Sequence, residues 1–119
     1  MEIDPFDIEW VETDPLDREV LMLKSVKQAR EFAGKHSSTE EFLSTDDVRQ
    51  VVSNPDRIDF SSSNPDRDLY YEVKTEYTNQ YARVVVDFRG DPSKGVAISW
   101  SRYEHPVSSH GIRYRKSER

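Results

Sequence analysis

His36 is the side chain whose type and setting best suit proton transfer. It follows the C-terminal end of a predicted helix, within the run Gly34–Ser38. An imidazole with a pKa of about 6.5 can donate or accept a proton at neutral pH. A histidine at a helix C-terminus also simply favours the helix dipole. The residue alone therefore leaves two roles open, acid–base catalysis and helix stabilisation.

Metal and cofactor chemistry receives little support from the sequence. His105 and His110 are five residues apart, with Glu104 beside the first, and no helical periodicity fixes them on one face. The chain has no cysteine, which excludes disulfides, thiolate nucleophiles and cysteine-ligated zinc. Glycine-rich phosphate loops, G-x-S-x-G, H-E-x-x-H and EF-hand sequences are missing. We therefore expect neither a metal nor a cofactor.

A second group of polar residues is predicted to share the solvent-facing side of a sheet. Cationic and hydroxyl groups there could hold a phosphate, and an aromatic ring could stack a base for about 1–3 kcal/mol. Alternatively, these cations pair with glutamates on the same strands and stabilise the sheet by a few tenths of a kcal/mol. The candidates for substrate binding are Tyr70, Lys74, Arg83 and Arg102, with Ser99 on the last strand.

The beginning of the chain predicts a strand and then an ambiguous segment. Phe6, Ile8 and Trp10 recur at every second position, as is typical of a half-buried strand. Residues 19–24 fit either the second strand of a hairpin or the start of one long helix. Ser25 is a good N-cap for a helix that begins after this segment, and it favours the strand.

Two short helices are predicted next. The first runs over residues 25–34, where apolar residues form one helical stripe and glycine ends it. The second has Thr45 as its N-cap, two aspartates in its first turn and a buried valine face, and it ends at Asn54–Pro55.

Strands dominate the second half of the chain. Alternating patterns cover residues 58–60, 69–77, 81–88 and 96–103, separated by turn residues. The sequence therefore predicts an α+β fold, with two short N-terminal helices packed on an antiparallel β-meander of about four strands. An N-terminal hairpin would add to this sheet or stand apart from it.

The length of the chain predicts a single domain, and its two ends differ in charge. A chain of 119 residues leaves room for one core. We divide it into an acidic segment 1–20, a core 21–104 and a basic C-terminal tail 105–119. The first 20 residues carry eight acids and one base, although the net charge of the chain is only -6. This segment either belongs to the fold or masks a basic face, because a negative patch weakens phosphate attraction.

Membrane insertion is not expected from the hydropathy pattern. No stretch approaches the roughly 20 apolar residues that a membrane span requires, and no apolar segment follows a basic start. The sequence predicts a cytoplasmic protein.

Five short motifs occur in an order that resembles a known group of enzymes. They are Lys35-His36, Val51-Val52-Ser53-Asn54-Pro55-Asp56, Tyr70, Val84-Val85-Val86 and Val96-Ala97-Ile98-Ser99-Trp100. This order resembles small nuclease domains of the barnase, EndoU, colicin and RelE type, and most of all their phage- and toxin-associated branch. The resemblance covers about residues 25–103.

The resemblance implies metal-independent RNA cleavage, in which the 2′-hydroxyl of the substrate attacks the adjacent phosphate. By position, His36 would act as an acid or base and Ser99 would hold the phosphate. Ser99 stands where the family more often has threonine, and the bulky Trp100 follows it.

Two functions follow as hypotheses. The first is an endoribonuclease-like domain that binds RNA and acts as the toxin of a toxin–antitoxin or phage-related system. The second is an acidic binding module, such as an immunity or antitoxin-like partner of a basic nuclease, or an inactive relative of the fold. His36 discriminates between them, because a binding module would tolerate its replacement.

Overall fold

Seven strands form one mixed sheet in a computed structural model that describes residues 3–34, 44–74, 80–103 and 111–116. A short 3-10 helix, Pro5–Asp7, precedes the first strand. The other elements are β1 (Ile8–Thr13), β2 (Glu19–Leu23), α1 (Lys24–Gly34), α2 (Thr45–Ser53), β3 (Arg57–Phe60), β4 (Arg67–Lys74), β5 (Gln80–Asp87), β6 (Lys94–Tyr103) and β7 (Ile112–Arg115). The strands lie in the order β1-β2-β6-β5-β4-β3-β7.

The predicted meander of about four antiparallel strands under two helices is wrong. Residues 8–23 do form the hairpin β1–β2, but this hairpin joins the main sheet through a parallel pairing of β2 with β6, from Glu19 opposite Lys94 to Leu21 opposite Val96. All other neighbouring strands are antiparallel. Pairing between segments about 75 residues apart leaves no local pattern in the sequence.

The opposite edge of the sheet has one strand more than predicted. Residues 112–115, which we assigned to a basic tail, form β7 and pair antiparallel with β3, with Arg115 opposite Arg57 and Tyr114 opposite Ile58. Residues 112–115 alternate between apolar and charged side chains, but four residues are the shortest run in which alternation predicts a strand. The register of β3 and β7 shifts between Ile58 and Asp59, so the edge strand contains a bulge.

The N-cap of helix α2 is not the residue that the sequence predicted. Ser44, not Thr45, is the N-cap: its hydroxyl accepts a hydrogen bond from the backbone N–H of Asp47, and the Asp47 carboxylate accepts one from the Ser44 backbone in return. This reciprocal capping box satisfies two backbone donors at the start of the helix. None of the described helices is long and apolar enough to cross a membrane.

Both helices pack on one face of the sheet, and the opposite face is called the open face below. Valines of α2 are completely buried against residues of the central strands. The core on the helix side consists of Val20, Met22, Val48, Val51, Val52, Ile58, Tyr70, Ala82, Val84, Val86, Phe88, Ala97 and Trp100. Cross-strand partners lie on the same face of a sheet, so the register of the strands assigns every paired residue to one face.

Gly95, the second residue of β6, lies against Val86 of β5 and against Phe88, which follows β5. A Cβ atom there would lie 2.6 Å from Cγ1 of Val86 and 2.8 Å from the Phe88 ring, both in the core. We expect Gly95→Ala to lower the free energy of unfolding by about 1–3 kcal/mol, because the core would have to shift.

Gly111→Ala is the matched control, since its added Cβ would lie at an ordinary 3.5 Å from the Phe60 ring. It should change stability by less than about 0.5 kcal/mol. Urea unfolding of both variants measures the difference, and equal stability of the two would contradict this account of Gly95.

Candidate functional site

Two of the predicted site residues, Arg83 and Ser99, lie on the open face. Arg83 is opposite Ser101, and Ser99 is opposite Val85, so the two side chains occupy adjacent rows of the same surface. Tyr70 does not join them. It is opposite Val84 and completely buried on the helix side.

The other predicted site residues cannot be placed in this surface. Lys74 is opposite Gln80 and Arg102 is opposite Ala82 in the register, but their side chains lie outside the described part of the structure. His36 falls between the described segments 3–34 and 44–74.

The alternation of β4 misassigned Tyr70, because both faces of this strand are apolar. Leu69 and Tyr71 are buried on the open face, and Tyr70 is buried on the other. A strand buried on both sides does not indicate which face is solvated. A bulge between Val85 and Val86 also shifts the register of β6, so that Ala97 rather than Ile98 faces the core.

Register places a row of polar side chains across five strands of the open face. Each member is the direct cross-strand partner of the next, and the row is Arg115 on β7, Arg57 on β3, Tyr71 on β4, Arg83 on β5 and Ser101 on β6. Neighbouring strands are about 4.8 Å apart, so the row spans roughly 19 Å. We call it the arginine row.

Contacts within the arginine row hold its centre. The Arg57 guanidinium lies over the Tyr71 ring, 5.1 Å from its centroid, and Tyr71 meets Tyr81 edge to face at 6.2 Å. Nε of Arg57 lies 2.7 Å from a carboxylate oxygen of the buried Asp59, but the N–H does not point at that oxygen, so the contact is an ion pair rather than a hydrogen bond. The centre of the arginine row thus packs against aromatic rings, and one carboxylate lies beside it.

Positive charge predominates in this half of the open face. Among described side chains of β3, β4, β5 and β7, the open face carries four arginines, Arg57, Arg67, Arg83 and Arg115, and two aspartates, Asp59 and Asp87. This leaves a surplus of two positive charges on a chain whose net charge is -6. A local surplus of this sign attracts anions, whatever the sign of the whole molecule.

Sequence reasoning missed Arg57 and Arg115 as members of the site. Arg57 follows a predicted turn, and Arg115 was assigned to a tail. Each is recognisable only through its partner across the sheet, because the pairing of β7 with β3 brings them together. The basic composition after residue 110 and the alternation of residues 112–115 were the available signals, and neither gave a position in the fold.

A second polar cluster is buried at one end of the sheet, on the helix side. Arg18, in the turn between β1 and β2, donates from Nε to Asp14 at 2.9 Å, from Nη1 to Asp68 at 2.8 Å and from Nη2 to the Tyr70 hydroxyl at 2.9 Å. The Tyr70 hydroxyl donates to Asp14, and Nε of Arg113 lies 2.7 Å from the same Asp68 oxygen that Arg18 binds. Two arginines, two aspartates and a tyrosine therefore form one network.

The electrostatics of this network suit a structural role. Burial raises the pKa of Tyr70 well above its ordinary value of 10.0, and the hydrogen bond to Asp14 raises it further, so the phenol stays protonated. Burial alone would lower the pKa of Arg18, but Tyr70, Asp68 and Asp14 raise it overall. The charges of the network cancel, and the described geometry commits both arginines to Asp68.

An open cleft of about 540 Å³ lies in front of the network. Leu16 and Phe88 supply apolar surface, and the Arg18 guanidinium lies 4.3 Å from the centroid of the Phe88 ring. Asp66 and Asp91 stand exposed at the same cleft. Because two aspartates add to a balanced network, this cleft is a poorer site for phosphate than the arginine row.

Comparisons with protein-family models, curated proteins and solved structures found no match to this chain. Within the described residues, no group of three histidine or acidic side chains is arranged to hold a metal ion. The candidate site is therefore judged on its own geometry, and the arginine row is the strongest candidate.

Tyr70→Phe tests the network through its pH dependence. The tyrosine has a raised pKa in the folded state, so its contribution is complete below pH 10 and is lost as the pH rises further. The stability advantage of wild type over Tyr70→Phe should be about 1–2 kcal/mol at pH 8. Above pH 10 it should shrink by about 1.4 kcal/mol per pH unit.

Urea unfolding at pH 8, 10 and 11 measures this advantage. Tyr114→Phe is the control, because Tyr114 lies outside the network and packs at the β7 edge of the core. An advantage over Tyr70→Phe that stays constant from pH 8 to 11 would contradict the raised pKa.

Proposed function

We propose that this protein is a metal-independent endoribonuclease whose substrate lies across the open face of the sheet. The observation that carries the proposal is the arginine row, which aligns three guanidinium groups across adjacent and near-adjacent strands. The predicted phosphate-binding residue Ser99 lies one row away from Arg83. The reaction type comes from the resemblance of the sequence motifs to small ribonuclease domains.

The chemistry of guanidinium groups supports phosphate binding at this row. Arginine presents planar, paired N–H donors that match two phosphate oxygens, and it keeps its charge at all physiological pH values. Arg115 is exposed and Arg57 is partly exposed, so at least two of the cations are accessible. An RNA strand that follows the row would place successive phosphates beside successive arginines.

In the proposed reaction, His36 transfers a proton, and residues of the open face stabilise the phosphate. A base removes the proton of the 2′-hydroxyl, whose oxygen attacks the adjacent phosphorus, and an acid protonates the departing 5′-oxygen. We assign His36 to one of these proton transfers. Arg83 and Ser99 would donate hydrogen bonds to the phosphoryl oxygens, where negative charge develops.

The biological setting that we propose is a toxin of a toxin–antitoxin or phage-related system, with RNA as target and a protein partner that neutralises it. This setting rests on the resemblance alone. The acidic segment 1–20 contains β1 and part of β2, so at least residues 8–13 and 19–20 belong to the fold. A mask over the RNA site would have to come from elsewhere in the segment.

RNA binding by single arginine variants tests the interface. We expect Arg57→Gln, Arg83→Gln and Arg115→Gln each to weaken binding to a single-stranded RNA about equally for all sequences, because they contact phosphate. Each loss should also reduce the slope of log K against log salt by about 0.7. Fluorescence anisotropy at several salt concentrations measures both effects.

Arg89→Gln is the matched control, because Arg89 is an exposed arginine in the loop after β5 and outside the row. It should leave the salt slope unchanged. Equal losses for Arg89 and the three row arginines would mean that binding follows net charge and not this surface.

Cleavage tests the catalytic assignment separately. Wild type should cleave RNA in EDTA at low salt, and His36→Ala and Ser99→Ala should each lose about 100-fold or more in rate, since one proton transfer or one charge-stabilising donor is removed. Ser53→Ala on α2 should keep wild-type activity. Cleavage products are resolved on denaturing gels.

The outcomes separate the hypotheses. Binding without cleavage by well-folded wild type would overturn the enzyme and favour an inactive relative of the fold. Absence of both binding and cleavage would favour the acidic binding module. Cleavage that EDTA abolishes would contradict the metal-independent reaction.

A further inference from the structure

The sheet ends in two strands of opposite character, β1 and β7. Each lies at an edge of the seven-stranded order, and no strand of the described chain pairs with the outer side of either. The outer side of an edge strand presents backbone N–H and C=O groups that can extend a sheet. The two edges are therefore possible pairing surfaces, and their side chains determine what fits.

The β1 edge is apolar and acidic. Val11 is 44% exposed on the open face, and Phe6, in the 3-10 helix directly before β1, is also exposed. Seven acidic residues lie in the described segment 3–19, and four cations contact members of this set. The contacting cations are Arg18, Lys27, Arg49 and Lys94. A surplus of three negative charges remains in this segment, which includes β1.

The β7 edge is apolar and basic. Ile112 is 45% exposed and pairs with Asp59 of β3, so its side chain lies on the open face. Arg115 and Lys116 are exposed, and Arg113 is bound to Asp68. Each edge strand of the sheet thus carries one exposed large hydrophobic residue, Val11 on β1 and Ile112 on β7.

Strand direction makes the two edges compatible. Following the pairings across the sheet, with one parallel step from β2 to β6, shows that β7 runs antiparallel to β1. A second copy displaced along the sheet would therefore bring its β7 antiparallel to β1 of the first. Its helices would lie on the same face, and Ile112 and Val11 would share the open face of the extended sheet.

The lengths of the two strands also agree. The register of β1 with β2 shifts between Ile8 and Trp10, which leaves four regularly paired residues, Trp10–Thr13. Strand β7 has four residues, Ile112–Arg115, and three of them are paired with β3 on either side of its bulge. A ladder of three to four residues can form without breaking either existing pairing.

We propose that the β1 edge of one molecule binds the β7 edge of a second copy, so that the protein associates head to tail. The exposed valine and isoleucine meet on the open face, and the acidic edge faces the basic one. The same patch is not used on both partners, so the interface is heterologous and does not close at a dimer. Two four-residue strands bury little area, so association is weak, with a dissociation constant between about 10 µM and 1 mM.

Sedimentation velocity of the full-length protein tests this association. The weight-average mass should rise with concentration from the monomer value of 13.9 kDa, and it should fall again with added salt, which screens exposed charges. Wild type that stays monomeric at millimolar concentration overturns the proposal.

Two edge variants test the direction of pairing. Val11→Lys places a cation on the β1 edge, and Ile112→Thr with Lys116→Glu removes the apolar and positive groups of the β7 edge. Each variant alone should be monomeric. A mixture should form a one-to-one dimer, because the intact β7 edge of the first variant meets the intact β1 edge of the second.

Controls keep the result interpretable. Gln28→Lys adds the same charge at an exposed position of α1 and should associate like wild type. Circular dichroism and thermal unfolding must show that each variant is folded. If the β7 variant associates alone as strongly as wild type, the pairing is symmetric between β1 edges and the head-to-tail proposal is wrong. The same conclusion follows if the mixture stays monomeric.

Discussion

A buried carboxylate, Asp68 on β4, connects the two ends of the sheet. One of its oxygens lies 2.8 Å from Nη1 of Arg18, in the turn of the N-terminal hairpin, and 2.7 Å from Nε of Arg113 on the opposite edge strand. The desolvation of such groups offsets much of their attraction, so the network adds little net stability over an apolar cluster of the same shape. Breaking it is costly, since a buried charge would lose its partner. The network thus links the turn of the N-terminal hairpin and the edge strand β7 to the centre of the sheet.

The elements of this fold were more predictable than their arrangement. Periodicity located both helices and six strands, because this signal acts over a few residues, but both predicted N-caps, Ser25 and Thr45, lie inside their helices. The parallel step from β2 to β6 and the pairing of β7 with β3 depend on contacts between distant segments, for which no local pattern exists. The face of β4 was misassigned because Leu69, Tyr70 and Tyr71 are all buried.

In the candidate site, too, residues with a local signal could be predicted, and residues placed by distant strand pairing could not. Arg83 and Ser99 could be assigned to the solvent-facing side from alternation within their own strands, and the register places both on the open face. Arg57 and Arg115 could not be found this way, because their place in the row depends on two pairings at the end of the sheet. Tyr70 illustrates the reverse error: an aromatic residue on a polar-looking face is a buried hydrogen-bonding partner of Asp14.

The parallel step between β2 and β6 also sets the order in which the chain can fold. Pairing of Glu19 with Lys94 closes a loop of about 75 residues, and this closure costs entropy before any contact forms to offset it. On a ribosome, the N-terminal hairpin emerges long before the strand that joins it to the rest, and β7 comes later still. We expect the inner edge of the hairpin to stay unpaired in the nascent chain until β6 has been synthesised. The arginine row becomes complete only when β7 pairs with β3, in the final stage of folding. Synthesis itself therefore delays the appearance of the RNA-binding surface that we propose.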